Sequence, residues 1–260
     1  MTLVLSCITH SWVVQVSDRR LVLIAPNSEP KLYDDDANKA VLFCNRLSFS
    51  YAGLGSIAGT KTDHWLLDAL VGQEAIPQAC SSIAVKATAA FKNIVAPSTR
   101  KQHEFVGVGW EEQISGKPEP IIVKISNYYP KVIGQLPEVH DEFIWESHIL
   151  PVTDPYLFYA TGQSLGAKSA NQQKEFSRFM KTCLEKEVGS QPVARILVEN
   201  IWRVASDNAM VGKNVLIVSI PQQAISKRDK MIILGRVHKN LVSSLYISPD
   251  NGKPIQLSLI

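Results

Sequence analysis

The apolar residues near the start of the chain fall in short segments with the length and composition of β-strands. Residues 3–9 and 12–17 are rich in Val, Leu, Ile and Trp, and the polar pair His10-Ser11 separates them, which predicts a β-hairpin. Residues 41–43 and 47–51 repeat this arrangement around another short polar turn. The pattern therefore predicts two antiparallel hairpins within the first fifth of the chain.

Longer segments with the periodicity of amphipathic helices come next, in two pairs. The four predicted helices lie near residues 60–70, 83–94, 167–186 and 192–205. Further segments with strand composition lie at 104–110, 120–126, 157–161, 214–220, 231–237, 241–247 and 255–259. The last two flank the turn sequence Pro-Asp-Asn-Gly at 249–252, which predicts that they pair with each other. The polar segment 25–37 is interpreted as an exposed loop.

Strands and helices thus occur in blocks instead of alternating. Blocks of this kind are typical of α+β proteins with antiparallel sheets and separate helix layers. We expect a four-layer αββα sandwich, with two packed sheets inside and helices outside. The length of 260 residues fits one domain that spans residues 1–260.

Composition and charge exclude several functional classes. The net charge of +3 and the absence of a long Lys/Arg run argue against a nucleic-acid partner. The chain has no apolar run of about 18 residues and no basic segment before its first apolar stretch. We therefore expect no membrane partner and a cytoplasmic location.

Cysteine and histidine spacing gives no sign of a metal site. The four cysteines, at positions 7, 44, 80 and 183, include no CxxC pair, and the six histidines show no HxxxH or HExxH spacing. The cysteines are interpreted as reduced, mostly buried thiols. We expect neither a metal nor another cofactor.

Four residues in the first quarter of the chain have spacings that suggest catalytic chemistry. Asp18 follows Thr2 by 16 residues, and Gly53 follows Lys39 by 14 residues. Together with the segments EFVGVGW, PIIVKISN, LFYATGQSLGA and ARILVENIWRVASDNAMVGKNVLIVSI, these spacings resemble the proteasome β-subunit branch of the N-terminal-nucleophile hydrolases. The mature chains of that family begin with Thr, end the second strand in Asp-x-Arg, and carry the Lys and Gly at matching intervals.

The resemblance implies a threonine-nucleophile hydrolase that acts on a peptide or amide substrate and assembles into a ring-like homo-oligomer. Removal of Met1 would free the α-amine of Thr2, whose pKa of about 7.7–8 suits a general base for its own hydroxyl. Lys39 would favour alkoxide character at that hydroxyl, Asp18 would balance the buried ammonium, and the Gly53 N–H would stabilise the oxyanion. The resemblance adds one catalytic residue, Asp207, and three supporting residues: Arg20, Gln163 and Ser164.

Two positions depart from the family pattern. Gln163 stands where the family usually has a Ser in the glycine turn, and Met210 stands where it usually has a Ser three residues after the Asp. A Gln side chain can replace a hydroxyl as donor and acceptor, whereas a Met side chain cannot. A catalytically inactive structural or scaffolding relative, which assembles with itself or with partners, is therefore the alternative hypothesis.

A second alternative uses the sequence GQSLG at 162–166, which matches the Gly-x-Ser-x-Gly nucleophile elbow. Ser164 would be the nucleophile, and Asp207 and His238 follow it in the required order. An elbow needs a parallel sheet, whereas the order of elements in this chain predicts antiparallel sheets.

Overall fold

The computed structural model describes residues 2–23, 31–44, 46–93, 102–112, 116–132, 135–162, 170–186, 189–222, 232–234, 244–247 and 254–257. Four helices are α1 (Thr62–Leu70), α2 (Ile76–Lys92), α3 (Ala170–Glu185) and α4 (Ser190–Asp207). The strands are β1 (Leu3–Thr9), β2 (Trp12–Asp18), β3 (Leu21–Leu23), β4 (Lys31–Asp34), β5 (Ala40–Phe43), β6 (Leu47–Ala52), β7 (Ser56–Ile57), β8 (Thr60–Lys61), β9 (Glu104–Glu112), β10 (Pro118–Tyr129), β11 (Glu138–Ile149), β12 (Tyr156–Gly162), β13 (Val215–Pro221), β14 (Ile232–Leu234), β15 (Ser244–Ile247) and β16 (Pro254–Leu257).

Two large sheets hold most of these strands. The five-stranded sheet has the order β12-β1-β2-β13-β14, and every neighbouring pair in it is antiparallel. The seven-stranded sheet has the order β11-β10-β9-β6-β5-β15-β16 and contains one parallel pair, β5 with β15. The α+β class with antiparallel sheets is thereby confirmed, with this parallel pair as an unexpected detail.

Three apolar clusters relate the helices to the sheets. One joins α1 and α2 to the seven-stranded sheet and includes Leu66, Ile83 and Phe105. A second joins α3 and α4 to the five-stranded sheet through residues such as Leu197. A third contains side chains from both sheets, with Trp110 among the largest.

The two predicted hairpins near the start of the chain are confirmed, as are all four helices. The structure adds β11, which the pattern did not predict because only Phe143 among its residues is buried. It also adds the short pairs β3–β4 and β7–β8, the first of which replaces part of the expected loop at 25–37. Among the described residues, no helix has the length and apolar content required to cross a membrane.

Candidate active site

The ends of β1 and β2 bring Thr2 and Asp18 together. The hairpin pairs Val4 with Ser17, so the start of β1 lies beside the end of β2. The backbone N–H of Leu3 donates to Asp18 Oδ2 at 2.6 Å. The 16-residue interval between Thr2 and Asp18 is therefore a consequence of the hairpin register.

Lys39 lies just before β5 and reaches the same point. Its Nζ donates to Thr2 Oγ1 at 2.8 Å, to Asp18 Oδ1 at 3.3 Å and to the carbonyl of Arg20 at 2.5 Å. The side chains of Lys39 and Asp18 are both fully buried, and Thr2 is 2% exposed. All three ammonium protons therefore have an acceptor, and the ammonium itself is shielded from solvent.

Asp18 is the centre of this cluster. Besides Lys39 and the N–H of Leu3, its carboxylate accepts the backbone N–H of Arg20 at 3.0 Å and that of Gly212 at 3.3 Å. Three backbone donors from separate segments thus hold the carboxylate in place. The arrangement keeps one acceptor oriented towards the Lys39 ammonium.

Burial and the neighbouring carboxylate act on Lys39 in opposite directions. Burial lowers the pKa of the Lys39 ammonium below its ordinary 10.5, and the charge and hydrogen bond of Asp18 oppose that shift. A buried ammonium without this partner would lose its proton. Asp18 is therefore what allows Lys39 to carry charge beside the Thr2 hydroxyl.

Two arginines fasten the end of β2 to the acidic segment before Lys39. Arg20 binds Asp35 through two hydrogen bonds of 2.7 and 3.0 Å and also donates to the carbonyl of Ala209. Arg19 donates to the carbonyls of Asp36 and Ala37 and forms an ion pair with the Asp36 side chain. The sequence suggests a supporting role for Arg20 and gives no role to Arg19. Two cations followed by three consecutive aspartates, at 34–36, were the available signal.

Gly53 follows β6 and lies at the edge of the site. Its φ is +130°, and a Cβ there would come within 2.4 Å of His103 Nδ1. The neighbouring Leu54 N–H donates to the same nitrogen at 2.9 Å. Burial lowers the pKa of His103 to about 3, so the ring is neutral and holds this turn as an acceptor. Only glycine fits at position 53.

Asp207 lies apart from the cluster. It is the last residue of α4, its side chain is exposed, and Asn208 then continues in an extended conformation. The residues of this turn that contact the site are Ala209, through its carbonyl, and Gly212, through its N–H. Met210 donates its backbone N–H to the Asn208 side chain. The structure thus places Gly212, which the sequence did not single out, beside Asp18, and leaves the Asp207 side chain outside the cluster.

A cleft of about 340 Å³ opens beside the cluster. Thr2 and Gly53 line it together with Arg20, Tyr33 and Lys61, which come from the end of β2, β4 and β8. The two residues assigned to nucleophile and oxyanion thus face one solvent-accessible space. Its volume lies at the lower end of the range of small-molecule sites, about 300–1,000 Å³.

The nucleophile-elbow alternative is not supported by the sheet around it. Gln163, Ser164 and His238 lie outside the described residues. The preceding strand, β12, pairs antiparallel with β1, and the five-stranded sheet contains no parallel pair among its described strands. An elbow requires a parallel strand at this point. In the described part of the chain there is also no cluster of three or more His, Cys, Asp or Glu side chains that could hold a metal ion.

Comparison with solved structures finds Anbu (ancestral beta-subunit) proteins. The protein from Yersinia bercovieri is 14% identical with a TM-score of 0.50, over 84% of this chain and 81% of that chain. The Anbu (Gly-1) mutant from Hyphomicrobium sp. strain MC1 is also 14% identical, with a TM-score of 0.48 over 84% of this chain and 80% of that chain. No protein-family model and no curated protein sequence matches the chain.

These findings correct the resemblance drawn from the sequence. The assignment to the proteasome β-subunit family is wrong, because no family model matches and the structural neighbours are Anbu proteins at 14% identity. A likeness at that identity shows the fold alone. The chain has a proteasome-like fold.

Proposed function

We propose that the chain is a threonine-nucleophile hydrolase of amide or peptide bonds. Thr2 Oγ1 is the nucleophile, and the α-amine of Thr2, freed by removal of Met1, is the base. The observation that carries this proposal is the fully buried Lys39 ammonium, which donates to Thr2 Oγ1 at 2.8 Å while paired with a fully buried Asp18.

A purely structural role explains this cluster less well. Two fully buried charges lose their hydration, and well-packed apolar residues of similar volume are often as stable or more so. A buried ion pair that also binds a hydroxyl at the edge of a cleft is instead the kind of arrangement found at functional sites. The contact to Thr2 Oγ1 supports catalysis over packing.

In the first step, Thr2 Oγ1 forms a bond to the carbonyl carbon of the substrate, and its proton passes to the α-amine. The carbonyl π electrons move to oxygen, and the Gly53 N–H stabilises the resulting oxyanion. Lys39 stabilises negative charge as it develops on Oγ1. Collapse of the intermediate breaks the C–N bond, and the leaving amine takes the proton from the α-ammonium.

In the second step, water attacks the ester that now links the acyl group to Thr2. The α-amine accepts the proton of that water and returns it to Oγ1 as the carboxylic acid leaves. One base thus serves both half-reactions, as in other enzymes whose nucleophile is activated by an N-terminal amine. Asp18 and Arg20 hold Lys39 and the end of β2 in place throughout.

Removal of Met1 is a necessary condition for this mechanism. We expect protein purified from its own host to have the intact mass of a chain that begins at Thr2, and to hydrolyse N-acylated peptide amides. A retained methionine in the host would leave Thr2 without a free amine and would contradict the proposal.

The second candidate function is a structural or scaffolding one within the same fold. The exposed position of Asp207 and the presence of Met210 in the adjoining turn favour it, because neither side chain binds the described cluster. This candidate predicts that Met1 is kept and that function is indifferent to Thr2→Ala. The same intact-mass measurement therefore separates the two.

We further propose a single-domain, four-layer αββα sandwich that assembles as a ring-like homo-oligomer in the cytoplasm. The three apolar clusters support the layering, since each joins different layers. At the outer strand β11, Ile144 and Trp145 remain exposed, which supports a contact between copies. Light scattering that shows only the 28.8 kDa monomer would contradict the assembly.

A further inference from the structure

A second and smaller pocket also opens on Thr2. Its volume is about 50 Å³, which is room for one or two small polar groups and not for a large side chain. The described residues that line it are Thr2, Ala52, Gly53, Gln102, Glu104, Thr161 and Gly162. Glu104 is the one ionisable side chain among them.

Glu104 is buried, and none of the described cations pairs with it. It is 3% exposed, and the Tyr159 hydroxyl donates to its Oε1 at 2.6 Å. Burial, reinforced by the Glu104 carboxylate, raises the pKa of the Tyr159 phenol, so that hydroxyl stays a neutral donor. Within the described part of the chain, no Lys, Arg or His forms an ion pair with Glu104.

A carboxylate in this position favours a positively charged occupant. Removing a carboxylate from water costs several kcal/mol unless a cation and hydrogen bonds compensate, and one hydroxyl compensates only part of that cost. The pocket has room for an ammonium group and adjoins the residue proposed to have a free amine. Thr2 itself lines the pocket, so its amine needs no separate binding event to approach Glu104.

We propose that Glu104 is the counter-ion of a primary ammonium group in this pocket, namely the α-ammonium of Thr2. This inference rests on the proposed function, because both require that Thr2 is the first residue of the mature chain. Glu104 is then a positioning residue. It stabilises the ammonium formed when the amine takes the proton of Oγ1, and it accepts an N–H of the neutral amine beforehand.

The other charged groups around Thr2 are already paired or act in the opposite direction. Lys39, which is paired with Asp18, contacts Thr2 Oγ1, and its positive charge lowers the pKa of the nearby α-amine. Arg20 and Lys61 line the larger cleft, and Arg20 is paired with Asp35. Glu104 is therefore the described carboxylate near Thr2 that is left to raise the pKa of the amine.

The test uses protein released from a cleavable N-terminal fusion so that Thr2 is the first residue. Competitive labelling of the α-amine, followed by mass spectrometry across a pH series, gives its pKa. We expect Glu104→Gln to lower that pKa by about one unit, because an opposite charge at close range typically shifts a pKa by about 1–3 units. Gln keeps an acceptor for the Tyr159 hydroxyl, so the variant removes charge with little change in shape. Glu104→Asp should restore part of the shift.

The matched control is Glu111→Gln, which makes the same charge change seven residues along the same strand, β9. At about 3.3 Å per residue this position is roughly 23 Å away, and we expect it to leave the pKa of the amine unchanged. An equal pKa in wild type and Glu104→Gln would overturn the inference. A second result would also overturn it: methylammonium inhibits wild type but not Glu104→Gln, while the pKa of the α-amine is the same in both proteins. The pocket would then bind a cation of the substrate instead of the α-ammonium.

Hydrolysis measured on the same proteins separates this inference from the proposed function. If the pKa of the α-amine falls in Glu104→Gln but neither wild type nor any variant hydrolyses peptide amides, the counter-ion role stands and the hydrolase proposal fails. If wild type is active and the amine is the base, the rising limb of kcat/KM against pH should move to lower pH in Glu104→Gln. An active enzyme whose rising limb and amine pKa are both unmoved would overturn the inference alone.

Discussion

Replacing Thr2 with alanine is expected to abolish amide hydrolysis and to lower the free energy of unfolding by no more than about 2 kcal/mol. The variant removes the nucleophilic oxygen and one hydrogen bond from Lys39 Nζ, whose other two acceptors, Asp18 and the Arg20 carbonyl, remain. Peptide hydrolysis and chemical denaturation of the trimmed protein measure the two effects.

Thr9→Ala is the matched control for this variant. Thr9 is at the other end of β1, is equally buried, and donates its hydroxyl to the Trp12 carbonyl at 2.8 Å. We expect Thr9→Ala to have a comparable or larger effect on stability and no effect on the chemical step. Normal turnover by Thr2→Ala would rule out Thr2 as the nucleophile.

Replacing Lys39 with methionine is expected to abolish activity and also to destabilise the fold by about 3–5 kcal/mol. Methionine keeps the approximate length of the side chain but removes its charge, which leaves the fully buried Asp18 carboxylate without a cation. Adding Asp18→Asn should recover part of the lost stability, because it removes the buried charge, and no activity; the recovery is partial because both oxygens of Asp18 accept backbone N–H groups and Asn has only one acceptor oxygen. Urea denaturation of the single and double variants measures both changes.

Lys124→Met provides a control with the same ion-pair distance. Lys124 Nζ lies 3.3 Å from Glu146 Oε1, as Lys39 Nζ does from Asp18 Oδ1, but the Lys124–Glu146 pair is partly exposed. Exposed pairs contribute about 0–1 kcal/mol, so Lys124→Met should have a small effect. Equal destabilisation by the two variants would show that burial of the Lys39–Asp18 pair has no special importance.

The central strands β1 and β2 could be predicted from the sequence because their burial is reflected in a continuous strand-like composition with a clear polar break. All seven residues of β1 and all seven of β2 are buried, and a polar pair separates the strands. In β11, by contrast, charged and apolar residues are mixed, most of the apolar ones are exposed, and only Phe143 is buried. An edge strand that exposes most of its residues has the composition of a loop, so local sequence carries little information about it.

In the candidate site, likewise, some contacts could be predicted from the sequence and others could not. Thr2 and Asp18 are neighbours through one hairpin, so their separation in the sequence is enough to predict that they lie side by side. The contacts of Gly212 with Asp18 and of Arg20 with Ala209 join residues about 190 positions apart, and no local pattern predicts them. Which of the two arginines binds Asp35 depends on how the chain leaves β2, and that direction is set by packing.

The most direct test of the proposed chemistry is to locate the acyl group formed on the enzyme. The trimmed protein is treated with an activated ester of an N-acylated amino acid, quenched in acid and mapped by peptide mass spectrometry. Our account predicts one acyl group held as a hydroxylamine-labile ester on the N-terminal peptide of wild type, and no such ester on that peptide in Thr2→Ala or Lys39→Met; an acyl group bound to the α-amine as an amide resists hydroxylamine and is not counted. Acylation of Ser164 instead, or turnover of peptide amides with no acyl group at Thr2, would contradict it.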